Sequence, residues 1–434
     1  MEKPNIIWFM IDSMRNEFLN EFGANVERTF LDEIISKGVA FTNCHTVAPF
    51  TIVSMGAKLT GCLPSVTGLN GWLKKDAINT IDKNCITIMD ILKYQGYYNT
   101  LYTDSPYGVY LPGESFDVYH VQEGYKNFPV ESYIEHQGPK FIFLCTDIIH
   151  DLCCVNQGKF TKSDYSRAVK ITADVLREYY EQIKTDNDLI LITSDHGIRC
   201  IDDFQGHKYD AETTTGRYLT EKTTRNSFNI IWKNHIPSQK NSLLCRSIDI
   251  FPTLFDILGF EYPKLDGISL KPTIEGNTVD IKYTYTITGW SVTHPMSIGA
   301  YCIKDEQYKL VEFEELRGFS KRWVSALYDY QNDLEEETDL SKKYVEKVEE
   351  LKYVRDKMIM NKRNIRDLYK KTCFDFKKYI MVRDNNSSSA KCVNNIIKNV
   401  WRKKTRPAFL REYYKSEIKR LFYYYFLHKM LYKY

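Results

Sequence analysis

The stretch Asp188-Leu-Ile-Leu-Ile-Thr-Ser-Asp-His-Gly197 is a short apolar run that passes directly into polar residues. The runs Asn5–Ile11 and Lys140–Cys145 have the same form, and helical patterns such as 161–184 lie between the runs. Short continuous apolar runs are typical of parallel strands that are buried on both faces. Strands that alternate with helices predict an α/β fold with a mainly parallel central sheet flanked by helices.

Polar side chains directly follow each of these three predicted strands. They are Asp12 after the first, Asp147 and His150 after the second, and Asp195 and His196 after the third. Ligands of such sheets bind in the crevice beyond the carboxyl ends of the strands. A single aspartate at a strand end is more often a turn residue. Together, carboxylates and an imidazole at one edge predict a site for Mg, Mn, Ca or Zn.

A second candidate segment, residues 47–61, begins as an irregular stretch and continues as a predicted helix. Thr51 would lie near the helix N-terminus, where free amides and the helix dipole favour a phosphate or sulfate group. On this segment alone, a role of Thr51 as a simple N-cap is the preferred interpretation.

These motifs, in this order, resemble the sulfatase-like branch of the alkaline phosphatase superfamily. Thr60-Gly61, followed by Pro64 and Gly68, matches the layout of the sulfatase signature, and Thr51 occupies the position of its nucleophile. The segment 4–15 is similar to the family's first strand with its first metal ligand, and 191–197 is similar to its metal-binding motif. The similarity continues to about residue 345.

The domain organisation follows from this resemblance and from the shorter strand-like segments beyond Asp266-Gly267. An alkaline-phosphatase-like catalytic domain is expected over residues 1–280. A smaller subdomain with antiparallel strands is expected over 281–366, where it completes the sulfatase-like fold. A linker and a basic, aromatic helical tail are expected over 367–434.

The resemblance also implies roles for individual residues. The implied metal ligands are Asp12, Thr51, Asp195 and His196. His150 resembles the family's histidine that contacts the leaving group or a non-bridging oxygen, although a surface histidine is the alternative. His207 and Lys208 fall in the loop where the family often supplies a basic residue to the anion.

Several residues depart from the sulfatase pattern. Sulfatases need a cysteine or serine that becomes formylglycine, but this chain has Thr51, and Val53 and Met55 replace the proline and arginine of the maturation signature. No formylglycine is therefore expected. Ser13 replaces a second acidic residue, which favours one divalent cation, Mn, Mg or Zn, with Ca retained by family analogy.

A threonine alkoxide beside a cation suits phosphoryl transfer through a phosphothreonine intermediate. The sequence therefore predicts a metal-dependent phosphoryl or phosphodiester transferase or hydrolase that uses Thr51 as its nucleophile. A sulfuric-ester hydrolase is the alternative, and a catalytically silent binding member of the family is the second alternative. The expected substrate is a phosphate or sulfate ester, on a glycan or a lipid-linked molecule.

The segment 398–434 carries eleven Lys or Arg against two Glu, with aromatic and aliphatic residues at helical spacing. It would bind an anionic membrane surface or dock on the protein's own body. A formal net charge of +3 gives no argument for a nucleic-acid partner. The odd number of 11 cysteines and the lack of a visible export signal predict a cytoplasmic protein, peripheral on the inner face of the membrane.

Overall fold

The computed structural model describes residues 2–69, 73–74, 77–78, 81–82, 84–104, 115–122, 124–155, 159–204, 206, 219–287, 300–317 and 320–360. Its strands are β1 Asn5–Ile11, β2 Val39–His45, β3 Leu73–Lys74, β4 Ala77–Ile78, β5 Tyr98–Thr103, β6 Val118–Val121, β7 Lys140–Thr146, β8 Asp188–Ser194, β9 Arg225–Trp232, β10 Gln239–Asn241, β11 Cys245–Arg246, β12 Thr284–Ile287, β13 Ala300–Lys304, β14 Tyr308–Arg317 and β15 Ser320–Asp329. Its helices are α1 Phe30–Ile35, α2 Thr51–Thr60, α3 Pro64–Thr67, α4 Ile88–Tyr94, α5 Glu131–Glu135, α6 Ile148–Val155, α7 Lys162–Ile183, α8 Glu221–Thr224, α9 Ile250–Leu258, α10 Lys271–Ile274 and α11 Val345–Met360.

The central sheet has nine strands in the order β10-β2-β9-β8-β1-β7-β5-β6, with β11 beside β2. The strands β8, β1, β7, β5 and β6 are parallel to one another, and β9 is antiparallel to both β8 and β2. The predicted fold class, a mainly parallel sheet flanked by helices, is confirmed.

Strand β1 shows why this sheet is buried on both faces. Alternate residues of a strand point to opposite faces. Trp8 and Met10 belong to the hydrophobic cluster on one face, and Phe9 and Ile11 to the cluster on the other. All four side chains are fully buried. An uninterrupted apolar sequence is therefore what this strand requires, and the same holds for β7 and β8.

The helix α7 begins where its sequence predicts. The hydroxyl of Thr161 accepts a hydrogen bond from the backbone amide of Asp164, and the Asp164 carboxylate accepts one from the Thr161 amide. This reciprocal capping box satisfies two amides that the first turn would otherwise leave unpaired. The helix packs its apolar face on the central sheet, on the side of Phe9 and Ile11.

The second sheet is antiparallel and has the strand order β12-β13-β14-β15. The sequence predicted short antiparallel strands in this part of the chain, and α11 packs Val348 and Leu351 against the sheet. The backbone amide of Ile287 donates to the carbonyl of Val47 at 2.9 Å, which ties this sheet to the segment that precedes α2. No helix within the described part of the chain is long and apolar enough to cross a membrane. The predicted basic tail lies outside the described residues.

A buried charged network joins the two sheets. Lys304 forms an ion pair with Glu221 and donates a hydrogen bond to Nδ1 of His45 at 2.9 Å. Nε2 of His45 lies 2.8 Å from Oδ1 of Asn43. Because Nδ1 accepts from an ammonium, the proton of the neutral ring is on Nε2, which donates to Asn43. Burial and the Lys304 charge hold the pKa of His45 well below its ordinary value.

This network predicts a loss of stability at mildly acidic pH. The unfolded chain protonates His45 below about pH 6.5, whereas the folded protein keeps it neutral, so protons favour the unfolded state as the pH falls. Between about pH 7.5 and pH 5, this one group is expected to cost about 2 kcal/mol of unfolding free energy. Urea unfolding of the wild type and of His45→Gln at both pH values measures the difference. Equal losses in the two proteins would show that His45 does not contribute.

Candidate active site

Four neighbouring parallel strands each end in an aspartate. In the sheet order, Asp195 follows β8, Asp12 follows β1, Asp147 follows β7 and Asp104 follows β5. Ile11 is paired with both Ser194 and Thr146, so the ends of the three strands β8, β1 and β7 are level. The carboxyl edge of the sheet therefore presents a row of four carboxylates. The sequence predicted three of them, Asp12, Asp147 and Asp195.

Three of the predicted metal ligands lie together at this edge. Ligand atoms of Asp12, Asp195 and His196 all lie within 4.8 Å of one another, and all three residues are buried. The hydroxyl of Thr51 donates to Oδ2 of Asp12 at 3.1 Å and lies 3.4 Å from Nε2 of His196. The four residues that the sequence assigned to a cation thus lie close together at this edge.

Ser13 holds the two carboxylates apart and oriented. Its hydroxyl donates to Oδ1 of Asp12 at 2.6 Å, and its backbone amide donates to Oδ1 of Asp195 at 3.0 Å. Ser13 has a φ of 62°, in the left-handed region that few residues other than glycine adopt. The residue that seemed to be a lost ligand therefore orients two others.

The segment 195–197 has a compact local geometry. The His196 backbone amide donates to Oδ1 of Asp195 at 2.8 Å, and Nδ1 of the ring lies 2.9 Å from the carbonyl of Gly197. A carbonyl can only accept, so Nδ1 carries the proton and the lone pair of Nε2 faces Thr51. A Cβ on Gly197 would lie 1.9 Å from the carbonyl oxygen of Lys222, so only glycine fits at this position.

Helix α2 lies across the end of β8 with three polar side chains on one face. Thr51 approaches His196, the Ser54 hydroxyl donates to the carbonyl of Asp195 at 2.7 Å, and the Lys58 ammonium donates to the carbonyl of Ser194 at 2.6 Å. Spacings of three, four and seven residues place these side chains on the same side of a helix. Thr51 is the first helical residue and Phe50 is the N-cap, so the interpretation of Thr51 as a simple cap is wrong.

The electrostatics of this edge favour a cation. Burial raises the pKa of Asp195, and the neighbouring Asp12 charge raises it further. Oδ2 of Asp195 is buried, has no hydrogen-bond donor among the residues that the structure describes, and lies 3.3 Å from Nε2 of His196. A buried acceptor without a donor is costly unless something positive occupies the space before it. Two carboxylates, an imidazole nitrogen and a hydroxyl suit Mg, Mn, Zn or Ca, so these residues fit the predicted divalent ion.

A second group of polar residues continues the row. Oδ2 of Asp104 accepts from the Thr146 hydroxyl at 2.9 Å, and its Oδ1 accepts from the Asp147 backbone amide at 2.9 Å. Burial raises the pKa of Asp104 to about 6. His150 is partly exposed in the first turn of α6, and its ligand atom lies within 4.8 Å of those of Asp147 and Asp151. The predicted His150 therefore lies on the same sheet edge as the cation ligands.

Sequence reasoning missed Asp104 and Lys58. Strand β5 contains the polar residues Asn99, Thr100 and Thr103, all of which are buried. They interrupt the apolar run by which a buried strand is recognised in a sequence. Lys58 lies in a segment that was correctly predicted to be helical, where a lysine is ordinarily exposed. The predicted His207 and Lys208 lie outside the described residues.

Comparisons with known proteins place the chain in a family. The model of the family described as Sulfatase matches residues 4–260, which is more than half of the chain. The chain belongs to the sulfatase family. A second family model, N-sulphoglucosamine sulphohydrolase, C-terminal, matches residues 213–367. The predicted membership of the sulfatase-like branch is confirmed.

Individual relatives of this sulfatase-family protein are distant. A Delta 4,5-hexuronate-2-O-sulfatase of Bacteroides thetaiotaomicron is 21% identical, covering 79% of this chain and 85% of the relative. A sulfatase of Formosa agariphila is 30% identical over 105 residues, and an N-acetylgalactosamine-6-O-sulfatase of B. thetaiotaomicron is 32% identical over 97 residues. The chain covers only 20% and 19% of the length of these last two relatives.

Solved structures share the fold of this sulfatase-family protein. A 2-O GAG sulfatase is 18% identical with a TM-score of 0.67, covering 83% of this chain and 93% of that chain. A structure in complex with its substrate D-glucosamine-2-N,6-O-disulfate is 17% identical with a TM-score of 0.64, covering 83% and 98%. The family and the curated relatives support the sulfuric-ester alternative better than the predicted phosphoryl transferase, for which they give no support.

Proposed function

We propose that this protein is a divalent-cation-dependent hydrolase of sulfate esters on a glycan. The observation that carries the proposal is the contact of Thr51 with Asp12 and His196, at the nucleophile position of a sulfatase-family chain. The named relatives act on sulfated sugars, which supports a sulfated glycan as the substrate class.

In the proposed reaction, Asp12, Asp195 and His196 would hold a divalent cation, and Thr51 would be the nucleophile. A bound cation would favour the alkoxide form of Thr51 and neutralise charge on the ester group in the transition state. Ser13 keeps the two carboxylates in place, so that little reorganisation is needed when the ester binds.

The proposed reaction has two covalent steps. After the Thr51 proton has passed to solvent, Oγ1 attacks the sulfur, and the ester S–O bond to the sugar oxygen breaks. His150, in its protonated form, donates a proton to that leaving oxygen, which departs as the sugar alcohol. Water then attacks the sulfur of the sulfated threonine and releases sulfate, and Thr51 recovers its hydroxyl.

Phosphoryl transfer is a second candidate, and the identity of Thr51 favours it. A plain threonine cannot become formylglycine, whereas an alkoxide nucleophile suits a phosphothreonine intermediate. The cation ligands and the geometry around Thr51 serve both reactions equally, so the choice lies between sulfur and phosphorus at the same site.

Hydrolysis assays on metal-depleted protein test the proposal. We expect sulfate release from sulfated glycosaminoglycan disaccharides after addition of Mn, Mg, Zn or Ca, and no release before it. The matched control is the same panel with phosphate monoesters and phosphodiesters. Turnover of phosphorus substrates alone would select the second candidate. Absence of turnover on every substrate, together with absence of cation binding, would leave the catalytically silent binding member.

A further inference from the structure

Lys58 is a fully buried cation that the proposed reaction does not use. Its side chain has 0% exposure and lies two turns along α2 from Thr51, on the same helix face. The ammonium donates to the Ser194 carbonyl at 2.6 Å, and the sulfur of Met10 lies 3.8 Å away. Within the described chain, no carboxylate lies at ion-pair distance from it.

Two nearby carboxylates offset the cost of burying this charge. Desolvation of an ammonium is strongly unfavourable unless opposite charges compensate. Burial lowers the pKa of Lys58 to about 8, and the negative charges of Asp195 and Asp12 oppose this shift through space. Lys58 also lowers the cost of keeping Asp195 ionised. The ammonium therefore acts on the cation site through its charge and without direct contact with a ligand atom.

The charge balance of the site changes when a divalent ion binds. The carboxylates of Asp12 and Asp195 together neutralise such an ion, and His196 is neutral in the tautomer that its contacts indicate. The charge of Lys58 is then no longer compensated by these carboxylates. A sulfate ester carries a single negative charge, which this remaining positive charge complements.

We propose that Lys58 is a positioning residue that acts through its charge: it weakens the binding of the divalent cation and strengthens the binding of the anionic ester to the cation-loaded site. This inference rests on the proposed function, because it takes the site of Asp12, Asp195 and His196 as the cation site. A residue with a purely structural role would change both affinities in the same direction.

The test measures both affinities by calorimetry on the full-length protein. Lys58→Gln removes the charge and keeps a donor for the Ser194 carbonyl. We expect Mn²⁺ to bind the metal-depleted variant about tenfold more tightly than the wild type, because one repelling charge is gone. We expect inorganic sulfate to bind the Mn²⁺-loaded variant about tenfold more weakly. Lys58→Met, an isosteric neutral replacement, gives the same test if the glutamine variant does not fold.

Ser54→Ala is the matched control. It removes a neutral contact between the same helix face and the Asp195 carbonyl, at 2.7 Å, without any change of charge. The two affinities of this variant are expected to move together. Weakening of both affinities in Lys58→Gln, or no change in either, would overturn the inference and leave the proposed function intact. Failure of the wild type to bind any divalent ion would instead overturn the proposed function.

Discussion

Asp195→Asn is expected to weaken divalent-cation binding by at least about a hundredfold and to abolish measurable turnover. Oδ1 of Asp195 accepts from the backbone amides of Ser13 and His196. An asparagine must therefore keep its carbonyl oxygen at the Oδ1 position, since an NH₂ group there would face two donors. Its NH₂ group is then directed to the Oδ2 position, where the ligand atom is needed.

The loss should be electrostatic and local, because asparagine has the shape of aspartate. Calorimetry with Mn²⁺ on metal-depleted protein measures the affinity, and sulfate release measures the turnover. Asp104→Asn is the matched control, because Asp104 is a carboxylate of the same row that lies outside the trio of Asp12, Asp195 and His196. We expect this control to keep its cation affinity within about threefold of the wild type. Unchanged cation affinity in Asp195→Asn would mean that the ion binds elsewhere.

Whether a site residue could be predicted from the sequence depended on the strand that it follows. Asp195 and His196 follow a strand whose apolar run is uninterrupted, so both the strand and its polar end were visible. Asp104 follows β5, in which the buried Asn99 and Thr100 donate to neighbouring carbonyls. Hydrogen bonds to other parts of the fold offset the cost of burying these polar side chains in the core. The hydrophobic periodicity of the sequence does not reveal such hydrogen bonds.

The role of Ser13 could not be predicted for a different reason. The sequence shows a serine where the resemblance implies an acidic ligand, and the interpretation was a lost ligand. Ser13 has a left-handed φ and its amide donates to Asp195, and a local sequence pattern shows neither feature. Lys58 is similar, because its burial depends on the Ser194 carbonyl and on two carboxylates that are distant in sequence. The local sequence pattern predicts a helix or a strand. It does not predict which residues, distant in sequence, will contact the polar side chains of that helix or strand.

Thr51→Ala is expected to lower the rate of ester cleavage by at least about a thousandfold, because removal of a nucleophile removes the covalent path. Thr51→Ser keeps a hydroxyl on the same helix position and is expected to retain activity. The hydroxyl of Thr51 also donates to Asp12 at 3.1 Å and lies 3.4 Å from Nε2 of His196, so the alanine variant loses two contacts at the site. Cation affinity measured alongside turnover separates this loss from a loss of the ion.

Thr60→Ala is the matched control for the same helix. The Thr60 hydroxyl is buried and donates to the carbonyl of Gly56 at 2.7 Å, away from the cation ligands. Its removal is expected to cost about 1 kcal/mol of unfolding free energy and to leave turnover within about threefold of the wild type. Equal losses of turnover in Thr51→Ala and Thr60→Ala would indicate damage to the helix rather than loss of a nucleophile.

The covalent species on Thr51 decides between sulfur and phosphorus. Rapid acid quenching after exposure to sulfate or phosphate esters with a labelled sulfur or phosphorus atom is expected to leave labelled sulfur on the peptide that contains Thr51. The label should be absent in Thr51→Ala, in which the attacking oxygen is missing. Labelled phosphorus on this peptide would assign the phosphothreonine path that a plain threonine favours. Turnover by Thr51→Ala at the wild-type rate would mean that water attacks the ester directly, and that Thr51 serves only as a contact of Asp12 and His196.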